Sequence, residues 1–204
     1  MDLVNNAIAC IVEPAINGLG PLSSAKELAE EYLNDNSYTS KADMVNSLIN
    51  WESTKNFSTG FVTSLGGLIT LPAGVAGDLY ASWLIQARMS AAIAYIYGYD
   101  LSQDRTKTFV LASILGDGMK DLLKGVAVNF AEKGTKNLIM KGISGATLRA
   151  INKAVGVKLF TKAGEKGIIN LVKVIPFVSG FIGGGVDVAY CQSVGSAAKL
   201  VFER

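Results

Sequence analysis

The chain has 204 residues, the size of one ordinary domain, and half of them are hydrophobic. With a mean hydropathy of +0.33, it carries enough apolar surface to exclude a disordered protein. Histidine is absent, which excludes serine–histidine and cysteine–histidine nucleophile pairs and histidine-ligated zinc. We therefore expect a non-catalytic protein with no cofactor and no metal, folded as a single helical domain over residues 1–204.

The net charge of +2 conceals an uneven distribution of charge along the chain. Residues 1–119 hold 6 basic and 12 acidic side chains, whereas residues 120–173 hold 11 basic and 3 acidic ones. This basic block predicts a face that meets anionic membrane lipid or folds back on the acidic half. The lysines expected to face lipid are Lys133, Lys136, Lys141, Lys153, Lys158, Lys162, Lys166 and Lys173.

Nucleic acid is not an expected partner of the basic block. Phe130 and Phe160 are its only aromatic residues, so the stacking platforms that usually hold single strands are missing. A membrane protein is a further candidate partner.

The N-terminal quarter of the chain predicts three short helices joined by polar turns. The first covers residues 1–17, where apolar side chains recur at helical spacing. Ser24 and Glu27 form a capping box, in which the hydroxyl and the carboxylate satisfy two backbone amides reciprocally. Ser40 and Asp43 predict the start of the third helix in a similar way.

An apolar region follows, with Asp78 and Arg88 as the only ionisable charges between Asn56 and Tyr99. Its length would cross a bilayer, but its glycines, its proline and the central arginine fit a simple spanning helix poorly. We predict a long helix that begins near Pro72, runs to about Tyr97 and is ended by a glycine.

The remaining predicted elements are also helices. Asp100 with Gln103, and Asp117, are expected to cap two of them. Lysine-rich helices continue to about residue 157, and a second glycine-rich apolar segment leads into a helix that ends near Phe202. No convincing strand alternation occurs, so the predicted fold is all-α: a compact helical bundle of roughly nine helices with the two glycine-rich segments in its core.

Small residues spaced three or four apart in these two segments would let helix backbones approach closely. One interpretation is a packed helical hairpin inside the domain; the alternatives are insertion into lipid, enclosure of a lipid chain, or two membrane spans. The buried arginine needs a carboxylate, and we predict that Arg88 pairs with Asp187, with Asp78 as the other candidate. The segment residues considered are Gly74, Gly77, Asp78, Arg88, Gly180, Gly184 and Asp187.

Two pairs of carboxylates offer an alternative, catalytic function. Asp100 with Asp104, and Asp117 with Asp121, place carboxylates on one helical face, which could hold Mg²⁺ or serve acid–base chemistry on a lipid or apolar metabolite. Neighbouring basic residues and helix capping explain the same spacing without a metal, so we expect none. An interaction module for a transporter or effector system is a third interpretation.

The two cysteines and the N-terminus bear on the compartment. Cys10 and Cys191 each lie in an apolar helical pattern, which predicts buried, inert thiols. The start of the chain has no basic region and no cleavage motif of a signal peptide. We expect a cytoplasmic protein, peripheral to the inner face of the cell membrane.

Three sequence blocks resemble the EcsC family of bacterial proteins: GLITLPAGVAGDLYASWLIQARMSAAIAYIYGYDL, INKAVGVKLFTKAGEKG and VIPFVSGFIGGGVDVAY. The resemblance covers residues of about 47–202 and leaves the N-terminal helices, residues 1–46, outside it. It implies a mainly helical protein of the cytoplasm or the membrane surface, in a family named for a gene beside an ABC transporter. The family supplies no established catalytic residues to transfer to this chain.

Overall fold

The computed structural model of the chain describes residues 6–55, 77–125, 143–161 and 184–203. Within these ranges the only extended pairing is an isolated bridge between Leu19 and Leu22, so the all-α prediction is confirmed. The described ranges contain eight helices, close to the nine predicted. They are α1, a π-helical turn Ile8–Val12 continued by α-helical Glu13–Asn17; α2, Ala25–Leu33; α3, Lys41–Lys55; α4, Gly77–Ile96; α5, Asp104–Ser113; α6, Gly118–Gly125; α7, α-helical Gly145–Gly156 continued by a π-helical turn Val157–Thr161; and α8, Gly184–Phe202.

The predicted starts of α2 and α3 are confirmed. The Ser24 hydroxyl accepts the Glu27 amide at 3.1 Å, and the Glu27 carboxylate accepts the Ser24 amide at 2.8 Å. Ser40 stands directly before α3, and its hydroxyl accepts the Asp43 amide at 3.1 Å. Both helices therefore begin where short-range hydrogen bonds replace the missing backbone partners.

A proline shapes the first helix and its contact with α4. Pro14 has no N–H, so it cannot donate to the carbonyl of Cys10 in the α-helical register. The Tyr80 hydroxyl of α4 donates to that carbonyl instead. The π-helical turn just before Pro14 lies where the regular hydrogen-bond ladder is interrupted.

Helix α4 is the centre of the core. Every residue from Tyr80 to Ala94 is buried, which agrees with a helix that is apolar on nearly all sides. Helices α1, α2, α3, α5 and α8 all pack against it. The pairing of α4 with α8 brings together the helical parts of the two glycine-rich regions.

The connection between α4 and α5 contains one predicted feature that is confirmed and one that is wrong. Gly98 follows α4 with φ of 85°, a left-handed conformation that favours glycine, as expected for a helix end. Asp100 does not cap the next helix, because α5 begins at Asp104 with Gln103 in the capping position. The Asp100 carboxylate accepts the Ser102 amide at 2.9 Å, and this local turn uses the side chain before the helix starts.

The described helices have no membrane-spanning candidate. None of them combines the length and the apolar character that crossing a bilayer requires. Pro72 and Pro176, with most of the two glycine-rich segments, lie outside the described residues.

Candidate functional site

A buried ion pair lies between α3 and α4. The Arg88 guanidinium donates to the Glu52 carboxylate at 2.8 Å, and its other terminal nitrogen donates to the Ser23 hydroxyl at 2.9 Å. Arg88 is 6% exposed and Glu52 only 1%, so both charges are removed from water. Two charges buried this deeply stabilise each other only as a pair, since either one alone would face a low-dielectric core.

The burial of Arg88 was predicted, but Glu52 was not identified as its partner. The helical spacing of Val45, Leu48 and Ile49 places Glu52 on the buried face of α3, and this signal could have identified it. Asp78 lies in α4 and Asp187 lies in α8, but the structure does not describe their side chains. A contact of either carboxylate with Arg88 stays a prediction.

A surface pocket with a volume of about 280 Å³ is lined by residues of α2, α3 and the loop between them. We call it the α2–α3 pocket. It combines two tyrosines, one tryptophan, two carboxylates and one serine, supplied by the end of α2, the loop that follows and α3. Its lining residues are Glu31, Tyr32, Asp35, Tyr38, Ser47 and Trp51.

Tyr32 connects the α2–α3 pocket to the buried ion pair. Tyr32 is 8% exposed, and burial raises the pKa of its hydroxyl, with a further upward contribution from the negative charge of Glu52. The Arg88 charge acts in the opposite direction on the same pKa. The floor of the pocket therefore lies close enough to the ion pair to feel both charges.

The loop side of the pocket is held by hydrogen bonds. The Tyr38 hydroxyl donates to the Ser47 hydroxyl at 3.0 Å, which ties the loop to α3. The Asp35 carboxylate accepts the Ser37 amide at 2.8 Å, and this bond lowers the pKa of Asp35. Asp35 is therefore negatively charged at neutral pH.

The two cysteines are free thiols and both are buried, as predicted. Cys191 of α8 lies with its sulfur 3.7 Å from the Met89 sulfur of α4. Burial raises the pKa of Cys191 to about 11; Ser53 and Gln86 lower it by smaller amounts. Because the thiolate is the reactive form, Cys191 is inert at neutral pH.

Helix α7 presents a basic outer face. Residues 143–161 include Arg149, Lys153 and Lys158 and no acidic residue. Ile151, Val155 and Phe160 are buried, and the Phe160 ring meets Trp83 of α4 edge to face, with centroids 5.3 Å apart. One side of α7 is thus fixed to the core.

The opposite side of α7 is open to solvent. Arg149, Lys153 and Val157 are all exposed and follow one another at intervals of four residues, which places them on one helical face. Val157 is 41% exposed; within the described ranges, Val157 and Trp51 are the two large hydrophobic residues that are exposed. The face combines cations with an accessible apolar side chain.

Two of the eight lysines predicted to face lipid lie in the described residues: Lys153 is exposed and Lys158 is half-buried. Gly77 and Gly184 are the first residues of α4 and α8. The other positions fall outside the described residues: Lys133, Lys136, Lys141, Lys162, Lys166, Lys173, Gly74 and Gly180.

The carboxylates considered for catalysis show no metal-site geometry. Asp100, Asp104, Asp117 and Asp121 are all exposed, and Asp100 is engaged by Ser102. Within the four described ranges no group of three acidic, cysteine or histidine side chains is arranged to hold a metal ion. Asp117 directly precedes α6, the position predicted for a cap.

The model of the EcsC protein family matches residues 3–204 of the chain. The match adds α1, α2 and the first part of α3 to the region of about 47–202 on which the sequence resemblance depended. No curated protein and no solved structure is a match for the chain. Because the family match covers nearly every residue, including both the ion pair and the α2–α3 pocket, the chain belongs to the EcsC family.

Proposed function

We propose that the protein is a non-catalytic, lipid-binding protein that associates peripherally with the anionic face of a membrane. The observation that carries this proposal is the open face of α7, where Arg149 and Lys153 stand beside the exposed Val157. Each basic residue near a negatively charged membrane surface contributes about 1 kcal/mol of attraction. The remaining lysines of the basic block would enlarge the same field.

An apolar contribution supports the electrostatic one. Val157 is exposed where α7 changes from an α-helix to a π-helical turn, so its side chain is accessible to the boundary between lipid headgroups and acyl chains. The glycine-rich segments around Pro72 and Pro176 would supply deeper insertion or an acyl-chain pocket.

Co-sedimentation with vesicles tests the proposal. We expect greater recovery with vesicles that mix phosphatidylglycerol with phosphatidylcholine than with phosphatidylcholine alone. This difference, and not the recovery on phosphatidylcholine itself, tests the proposal. The double variant R149E/K153E should bind at least tenfold more weakly, since two attractions of about 1 kcal/mol each are replaced by repulsion.

The matched control is K26E/K41E, which makes the same change in net charge at exposed positions of α2 and α3. It should retain most of the binding. Equal recovery on neutral and anionic vesicles, no recovery on either, or equal losses in the two double variants would overturn the proposal.

A further inference from the structure

We propose that the α2–α3 pocket binds an organic cation of the quaternary ammonium class, the chemistry of a choline group. The pocket lies on α2, α3 and the loop between them, whereas the proposed anionic-lipid face lies on α7. The two proposals therefore stand or fall separately.

The first argument is the set of aromatic rings. Tyr32, Tyr38 and Trp51 all line the pocket, and the Tyr32 and Tyr38 rings have centroids 5.9 Å apart with a tilt of 34°. A cation within about 6 Å of an aromatic centroid is attracted to the ring face, most strongly by tryptophan. Tyrosine and tryptophan are the residues that form the aromatic sites by which proteins hold methylated ammonium groups, and this pocket has three of them in its lining.

The second argument is charge. Glu31 and Asp35 line the pocket, and none of the six lining residues is basic. Arg88, whose charge acts on the Tyr32 hydroxyl, is paired with Glu52 at 2.8 Å. The lining residues of the pocket therefore offer a net negative charge to a cation.

The third argument is the exposure of Trp51. This residue is 57% exposed, although a tryptophan on the surface leaves a large apolar area in water. Its position one helical turn after Ser47 places it on the same face of α3 as the residue that holds the Tyr38 hydroxyl. A site with fixed aromatic walls loses little side-chain freedom when a ligand enters.

Size and hydration select the class of cation. The volume of about 280 Å³ lies just below the range of roughly 300–1,000 Å³ typical for drug-sized ligands, and it suits a headgroup-sized cation. A primary ammonium is strongly hydrated, which makes it costly to bring against aromatic rings. A divalent metal prefers several carboxylate ligands, whereas this pocket has only two carboxylates and no third acidic side chain in its lining. A methylated ammonium gives up its water more readily and fits aromatic walls.

The test is a titration of the full chain with choline chloride, followed by isothermal calorimetry and by Trp51 fluorescence. Sodium chloride at equal ionic strength controls for salt, and 3,3-dimethyl-1-butanol is the uncharged analogue of the same shape. We expect choline to bind about tenfold more tightly than the uncharged analogue, the effect of roughly one desolvated cation–aromatic contact.

Variants locate the site. W51A and E31Q/D35N should each weaken choline binding about tenfold; both change exposed residues, so the fold should be retained. The control E30Q removes a carboxylate that pairs with Lys26 and does not line the pocket, and it should bind choline like the parent. No choline binding, equal affinity for the uncharged analogue, or unchanged affinity in W51A would overturn the proposal.

A last comparison identifies the source of the cation. Co-sedimentation with phosphatidylcholine vesicles that W51A abolishes would assign the pocket to a lipid headgroup. Binding of choline in solution without capture by these vesicles would assign it to a soluble quaternary ammonium compound.

Discussion

The buried contact between Arg88 and Glu52 makes the stability of the fold sensitive to the loss of either charge. Removing one charge from a buried pair leaves the other in the core without compensation, at a cost of about 3–5 kcal/mol. We predict that E52Q lowers the free energy of unfolding by this amount, measured by urea denaturation. The double variant R88M/E52L should be much closer to the parent, since apolar side chains of similar volume replace both charges.

The surface pair of Lys26 and Glu30, 3.6 Å apart on α2, provides the control. Both side chains are solvated, so E30Q should change the free energy of unfolding by less than about 1 kcal/mol. A loss in R88M/E52L as large as that in E52Q would show that the core needs the charges themselves.

We predict that the raised pKa of the Cys191 thiol makes the protein less stable in alkaline solution. Its pKa is about 11 in the folded protein, above the ordinary value near 9, because burial disfavours the thiolate. Between these two values the unfolded chain releases the proton and the folded chain retains it, so stability is complete below about pH 9 and falls as the pH rises toward 11. Urea midpoints measured from pH 8 to 10.5 should decrease.

The variant C191A isolates the thiol in that experiment. It should reduce the slope of the urea midpoint against pH, although the buried tyrosines, whose pKa values are also raised, retain part of it. An unchanged slope would contradict the assignment to Cys191.

Sequence reasoning at the level of single residues succeeded for burial and failed for partners. The buried Arg88 and both buried cysteines followed from apolar helical spacing alone. The spacing of α3 marks Glu52 as a buried carboxylate and hence as a candidate partner. The contact itself also depends on how α3 and α4 are rotated against each other in the core, and residues 56–76 separate the two helices in sequence. The α2–α3 pocket was missed because its lining residues come together only when α2 packs against α3.

At the level of helices, the crossing of α3 and α8 depends on one glycine. A Cβ atom at Gly195 would lie 2.7 Å from Cγ1 of Ile49 and 2.8 Å from two further atoms of that side chain. Ile49 is β-branched and stiff at χ1, so it cannot turn aside without cost. We predict that G195A lowers the free energy of unfolding by about 1–3 kcal/mol, despite the higher helix propensity of alanine.

The Ile49 contact can be tested by a double-mutant cycle. I49A should lose stability by itself through a cavity, but G195A added to it should cost clearly less than in the parent. Additive effects of the two substitutions in urea denaturation would rule out the steric contact as the cause.

Helix boundaries were predictable where short-range chemistry sets them. The starts of α2 and α3 followed from Ser24 and Ser40, whose hydroxyls accept an amide three residues later. The start of α5 was placed wrongly at Asp100, since an aspartate can close its own turn on Ser102 just as well as cap a helix. An aspartate that closes a local turn and an aspartate that caps a helix have the same sequence pattern, so the sequence does not distinguish them.

At the level of the whole molecule, the separation of the basic block from the acidic half predicts that binding to anionic vesicles depends on salt concentration. The Debye length shortens from about 10 Å at 0.1 M salt to about 3 Å at 1 M. We predict that recovery on anionic vesicles falls several-fold over this range, measured by co-sedimentation. Recovery that stays constant would show that apolar contacts carry the binding.

Choline binding in the α2–α3 pocket should respond less to the same change in salt. The attraction to aromatic faces acts at contact distance, whereas only the part due to Glu31 and Asp35 is screened. The two proposed sites can therefore be separated in one salt series. The fold class was readable from helical periodicity and capping patterns, and the basic block from the distribution of charge along the chain. The grouping of aromatic residues into a pocket required the packing of α2 on α3.

The central position of α4 also affects how the protein is made. Its packing partner α8 begins only at Gly184, so residues 97–183 must be translated after α4 before the two can meet. At about 5–20 residues per second, a ribosome needs roughly 4–17 s for that interval. During this time one side of an apolar helix stays uncovered, and the nascent chain is a natural substrate for chaperones that shield hydrophobic surface.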